Sequence, residues 1–159
     1  MQQIHPFLWF EGQAEEAMNF YVSIFPNSKV IKVMRYGDAG PGPKGAVMLC
    51  VFELDGQVFN ALNGRPAGFG FSDAVSFTVN CETQAEVDRF WDALVAGGGQ
   101  HSQCGWLRDK FGVAWQVTPI QIRDTVGGDD PAGARRAMEA MMQMTKLDIA
   151  KLEKAYAGE

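Results

Sequence analysis

Histidine is nearly absent from this chain: His5 and His101 are the only two in 159 residues. Cysteine is scarce as well. Cys50, Cys81 and Cys104 are odd in number and nowhere closely spaced, so neither a disulfide framework nor a zinc knuckle is indicated. Basic charge is in deficit, with 14 Lys and Arg against 19 Asp and Glu, a net charge of −5 and a pI near 5.0. That balance argues against a nucleic-acid partner, because phosphate affinity comes from clustered Lys and Arg. No apolar run is long enough to span a bilayer, and Met1-Gln2-Gln3 lacks the basic residues and apolar core of a signal peptide. The expected address is therefore a reducing cytoplasm, with no membrane partner. What is plentiful is apolar side chain: 47% of residues are apolar and 21% charged, a globular rather than a disordered composition. The length suits one domain, or two small modules sharing a core.

Residues 4–10 (IHPFLWF) predict an aromatic-rich strand, with Pro6 placing it at an edge or beside a bulge. Gly12-Gln13-Ala14-Glu15 predicts a helix start with Gly as a permissive cap, and Ala17, Phe20, Tyr21 and Ile24 follow at i, i+3, i+4 and i+7, an amphipathic stripe. Pro26-Asn27 ends the helix. Residues 29–36 read as a strand and 37–45, with Pro41 and Pro43, as a surface loop. Residues 46–54 and 57–62 form a hairpin around Asp55-Gly56, a pair that supplies the positive φ of a tight turn.

The pattern then begins again. Residues 75–81 predict a strand, Thr83-Gln84-Ala85-Glu86 fits a capping box, and Val87, Phe90, Trp91 and Leu94 repeat the helical stripe. Gly97-Gly98-Gly99 closes that helix, and 106–109 and 113–118 are strands around Lys110-Phe111-Gly112. The recurrence of strand, cap and stripe in one order predicts two tandem βαβββ units, module one about 1–66 and module two about 72–121. A helical tail, 122–159, follows. Asp130-Pro131 starts its first helix, whose apolar face is expected at Ala134, Met138, Met141 and Met142, and Asp148 starts a second with Ile149, Leu152 and Tyr156.

The segments HPFLWFEGQAEEAMNFYVSIFPNSKV, ALNGRP, AVSFTVNCETQAEVDRFWDAL, CGWLRDKFGVAWQVTP and MEAMMQMTKLDIAKLEKA together resemble the PhnB-like family, also called the 3-demethylubiquinone-9 3-methyltransferase domain, of the glyoxalase/bleomycin-resistance (vicinal oxygen chelate) superfamily. The resemblance covers nearly the whole chain, and CGWLRDKFGVAWQ is its most specific stretch. It implies an α+β fold in which tandem βαβββ modules form a curled mixed sheet around a cleft, with C-terminal helices added, and a homodimer as the usual assembly.

Metal-dependent members of the superfamily hold a divalent ion with four side chains, mostly His and Glu, so that it polarises vicinal substrate oxygens as a Lewis acid. Carried onto this sequence, the resemblance puts His5 near the first ligand position, Asn60 or Asn63 at the second, Ser76 at the third, and Gln116 at the fourth, where metal-binding relatives carry Glu. Neutral amides and a hydroxyl bring no charge to offset dehydration of a divalent ion. The expectation is no metal and no cofactor. If His5 faces the cleft, strand alternation sends Phe7 and Trp9 with it, and groups Ser76, Thr78 and Asn80 on one face, Ala114, Gln116 and Thr118 on another. His5, Phe7, Trp9, Asn60, Asn63, Ser76 and Gln116 are thus the cleft candidates, an aromatic and amide-lined wall suited to a neutral, flat or polyoxygenated small molecule.

Other chemistries find less support. Cys104 could be a nucleophile with His5 or His101 as base, but a small buried thiol is the expected state, and Arg108 and Asp109 read as a surface pair. His101 is expected to be solvated. Methyl transfer is set aside, because the cluster at Gly97 to Gly99 follows a helix instead of joining a strand to one. The reading is a metal-independent small-molecule-binding protein, with turnover left open. Its alternatives are a metal-assisted lyase, isomerase or dioxygenase-type enzyme with His5 and Gln116 as two of the ligands, and a drug-sequestering resistance protein. The methionine-rich tail is expected to meet its own sheet or a partner subunit.

Overall fold

The structure, a computed structural model, describes residues 2–159, which divide into two compact units, 2–70 and 71–159. The first runs β1 (Phe7–Phe10), α1 (Ala14–Ile24), β2 (Lys29–Arg35), β3 (Val47–Leu54) and β4 (Gln57–Asn63). The second runs β5 (Ser76–Cys81), α2 (Gln84–Val95), β6 (Gln100–His101), β7 (Trp106–Arg108) and β8 (Ala114–Pro119), then a 3-10 turn (Ile120–Arg123), α3 (Pro131–Met141) and α4 (Ile149–Ala157). Each unit holds one four-stranded mixed sheet, and neither sheet is closed. Their strand orders, β1-β4-β3-β2 and β5-β8-β7-β6, are the same connectivity written twice, with a parallel first pair and antiparallel remainder. The tandem βαβββ expectation holds.

Both helices cover one face of their sheet. In the first unit Ala14, Ala17, Met18 and Tyr21 of α1 are buried against β3 and β4, facing Leu8, Phe10, Cys50, Phe52, Phe59 and Ala61. The buried stripe thus begins three residues earlier than the sequence suggests, keeping Ala17 and Tyr21. Met18 takes the place of Phe20, and Ile24 sits at the half-buried end where the helix leaves the sheet. In the second unit Val87, Phe90, Trp91 and Leu94 are all buried, as the stripe predicts. Thr83 caps this helix by accepting from the Glu86 amide, while the Glu86 carboxylate accepts from the Glu82 amide, one residue before the cap.

The hairpin turn has φ of +48° at Asp55 and +76° at Gly56, the paired positive values that twist the strands correctly. Strand β1 is shorter than its pattern suggests, because Pro6 has no amide to donate. Ile4 and His5 lie outside the strand, and Ile4 is 90% exposed. In the tail, Asp130 and Asp148 cap α3 and α4 as expected. The packed face of α3 is different. Gly133 and Ala137 are buried, while Met138 and Met142 are 41% and 58% exposed. Small residues let α4 approach closely: a Cβ at Gly133 would lie 2.8 Å from the Tyr156 ring. Among the described residues no helix is long and apolar enough to cross a membrane.

Candidate functional site

Each sheet keeps a second face that its helix does not cover, and most of the candidate residues lie there. On the first sheet, register pairs Phe7 with Asn60 and Asn60 with Val51, and one row along pairs Trp9 with Leu62 and Leu62 with Leu49. Residues paired across strands point the same way, so Phe7, Trp9, Asn60 and Leu62 share the uncovered face. Phe7 is 54% and Trp9 37% exposed there. The Trp9 indole donates to the Arg65 carbonyl at 3.2 Å and meets the edge of Phe69 at 5.7 Å. The chain after β4 therefore borders this wall. His5, exposed, precedes it.

Asn60 is the unusual member. Its backbone amide donates to the Pro6 carbonyl, but its side-chain Oδ1 is buried with no hydrogen-bond partner. An unpaired buried acceptor costs about 1–3 kcal/mol and such groups concentrate where something else binds. Asn63, three residues on, is placed on the opposite, helix-covered face and is fully used. Its Oδ1 accepts from the Gly12 and Ala14 amides at 3.1 and 2.9 Å, and its Nδ2 donates to the Val47 carbonyl. It supplies the cap that Gln13 does not give α1, and it also borders a cavity of this unit. Beside it, Tyr36, Glu15, Arg65 and the Pro41-Gly42-Pro43 turn border a cavity of about 430 Å³. Composition had marked this turn as loop and nothing more.

On the second sheet Ser76, Thr78, Ala114, Gln116, Trp106 and Arg108 share the uncovered face by register. Ser76 and Gln116 are brought together: the Gln116 amide nitrogen donates to the Ser76 hydroxyl oxygen at 2.9 Å. Arg108 does not pair with Asp109. Its guanidinium makes two 2.9 Å hydrogen bonds to Asp73, which holds the Asp73 carboxyl below the usual range and the arginine above its own. Asp109 instead is 3% exposed. It accepts from the Phe111 and Val113 amides and from the Trp115 indole at 2.9–3.0 Å. An acidic residue directly before a Lys-Phe-Gly turn is a signal for such side-chain-to-backbone bonding, and it was readable in the sequence.

His101 is not merely solvated. Its Nδ1 accepts from the Trp91 indole at 2.8 Å with the rings stacked, so that nitrogen is not available as a base toward Cys104. Cys104 is half-buried, with φ of +58°. Cys50 and Cys81 are fully buried, and burial first, then Glu15 and Glu86 respectively, pushes each thiol up to about 11. A second cavity, about 520 Å³, lies where α2 meets residues 143–151, bordered by Gln84, Asp88, Lys146 and Lys151. There the Lys146 ammonium, then Gln84, lowers the Asp88 carboxyl.

A divalent ion does not fit these residues. Asn60, Ser76 and Gln116 offer only neutral oxygens, which bring no charge to offset the ion's dehydration. No three His, Cys, Asp or Glu among the described residues gather around a common point.

The profile of the family described as 3-demethylubiquinone-9 3-methyltransferase matches residues 2–118. A putative 3-demethylubiquinone-9 3-methyltransferase, a PhnB protein from Bacillus cereus, is 40% identical with a TM-score of 0.69, over 74% of this chain and 99% of that one. A Pseudomonas aeruginosa protein is 23% identical at TM-score 0.64, over 75% and 98%. The fosfomycin resistance protein FosX of Listeria monocytogenes is 14% identical at 0.52, over 75% and 93%, a likeness of fold alone. No curated protein matches.

Proposed function

The chain belongs to the 3-demethylubiquinone-9 3-methyltransferase (PhnB-like) family of the glyoxalase/bleomycin-resistance superfamily, and on that premise we propose that it binds a small organic molecule without a metal ion. The observation that carries the reading is Asn60, whose buried, unpaired carboxamide oxygen stands in register between exposed Phe7 and Val51. An aromatic wall gives a flat ligand its contact area, and the open acceptor fixes its orientation through an O–H or N–H of the ligand. Ser76 and Gln116 supply a second polar pair of the same neutral character. Charge plays little part in such recognition. The protein works in the cytoplasm, as a homodimer.

The methyl transfer in the family's name needs a cofactor, and the strand-to-helix junctions are the places where such groups commonly dock. Neither junction fits one here. Asn63 takes the Ala14 amide of α1 and the Gly12 amide before it, Thr83 takes the Glu86 amide of α2, and neither turn is glycine-rich.

Metal analysis of protein purified from cells, with native mass spectrometry for retained small molecules, tests the proposal. The expected result is less than about a tenth of a divalent ion per chain, as neutral donors dictate, and ligand binding that survives chelation. A near-stoichiometric ion lost together with binding would overturn it.

A further inference from the structure

The family profile ends at residue 118, and the Bacillus cereus protein, aligned over 99% of its length, matches only 74% of this chain. The tail beyond is nonetheless built into the second unit. Leu147 and Leu152 are 1% and 0% exposed. The Met144 and Thr145 carbonyls accept from the Cys104 and Gly105 amides at 2.9 and 2.8 Å. Gln84 fastens the same segment from the helix side, donating to the Leu147 carbonyl and accepting from the Ile149 amide, and Lys146 pairs with Asp88 at 2.7 Å.

We propose that residues 144–149 are a positioning element for the uncovered face of the second sheet, acting through the Cys104–Gly105 turn on Gln116. Two backbone hydrogen bonds lead from the tail to the strand that carries Gln116. Thr145 holds the Gly105 amide, and the Gly105 carbonyl accepts from the Val117 amide at 2.8 Å. Gln116, the residue before Val117, reaches Ser76 with its side chain. Leu147 closes the arrangement from outside. Gly105 has φ of +82°, and a Cβ there would lie 2.9 Å from both the Leu147 side chain and the Val117 carbonyl, so the turn is pressed between tail and strand. Cys104, beside it, holds a left-handed conformation that costs a non-glycine residue energy and persists only where the surroundings impose it. The Trp106 amide closes this turn on the Gln103 carbonyl at 3.0 Å, and the Met144 and Thr145 carbonyls hold it from the tail side. Trp106 follows directly and pairs with Gln116, so a shift of the turn moves both neighbours of that side chain.

The functional meaning of this device rests on the reading of Gln116 and Ser76 as ligand contacts, but its test needs no ligand. Nitrogen–proton correlation spectra and amide exchange are recorded on the ligand-free full chain and on its Leu147→Ala, Leu147→Met and Lys146→Met variants. In Leu147→Ala, exchange at Gly105 and Val117 is expected to quicken by about ten-fold or more relative to Val79 and Leu94 of the same unit, as for a local opening. The Gln116 side-chain amide resonances are expected to move with it. Leu147→Met restores both, and Lys146→Met, which removes only a surface pair, shifts them less in the same direction. Exchange that rises evenly through the unit, or Gln116 resonances that stay in place in both Leu147→Ala and Lys146→Met, would overturn the proposal and leave the tail a purely structural addition.

Discussion

At the scale of single residues, the informative side chains are the ones whose chemistry is unspent or displaced. Asn60 Oδ1 is buried without a partner, so its desolvation is uncompensated in the ligand-free protein. Asn60→Leu is expected to raise stability by about 1 kcal/mol while abolishing ligand uptake, an opposition typical of binding residues. Thermal denaturation beside ligand titration measures both, and a destabilised variant that still binds would remove Asn60 from the site. The thiols of Cys50 and Cys81 make a different prediction. Burial raises each from 9.0 to about 11, so the unfolded chain ionises first as pH climbs. The folded state is favoured fully below pH 9 and loses that contribution as pH rises through 11, by on the order of 3 kcal/mol per thiol. Denaturant midpoints at about pH 8 and about pH 11 should converge in Cys50→Ala and Cys81→Ala relative to the parent chain. An unchanged pH slope would show that the thiols do not set it.

At the scale of elements, the ends of helices and turns decide which polar residues are free. Asn63 joins the last residue of β4 to the start of α1 and to β3, three hydrogen bonds from one carboxamide. Asn63→Ala should cost about 2–3 kcal/mol, and Asn63→Asp less, because an acceptor still faces the helix amides. Asp109→Asn keeps one acceptor oxygen for the Phe111 and Val113 amides but turns an NH2 against the Trp115 indole N–H, and should cost a similar amount. Urea unfolding ranks all three, and Asn63→Ala as stable as wild type would refute the cap. These two residues also mark where sequence reading stops. Apolar periodicity carried the strands, both helices and their repetition, because burial against a sheet is a one-dimensional pattern along the chain. It placed Phe7, Trp9, Ser76 and Gln116 on uncovered faces for the same reason. Alternation alone sets Asn60 and Asn63, three residues apart, on opposite faces; which of those faces the helix covers follows only from the packing of α1 on β4. Arg108 and Asp109 read as a pair for want of Asp73, thirty-five positions away from Arg108. Met138 and Met142 read as a packed face because hydrophobicity does not reveal that Gly133 and Ala137 permit the closer approach.

At the scale of the whole molecule, each unit leaves large apolar side chains exposed. Ile4, Phe7, Phe69 and Val75 are between 54% and 90% exposed, and Met138 and Met142 stand one helical turn apart on the solvent side of α3. Exposed apolar side chains on an acidic chain of net charge −5 favour a defined contact over free exposure, since covering them returns about 25 cal/mol per Å². A two-fold pair of copies is the commonest way to cover such a surface. Light scattering of the full chain at micromolar concentration is therefore expected to give twice 17.5 kDa. A mass of one chain would defeat the homodimer outright. Met138→Glu combined with Met142→Glu separates the two surfaces, because both side chains point to solvent and the folded chain should tolerate the charges. Dissociation of that variant assigns the contact to α3. A variant that stays paired moves it to the aromatic surface of the first unit, where Phe7→Ser should then dissociate it.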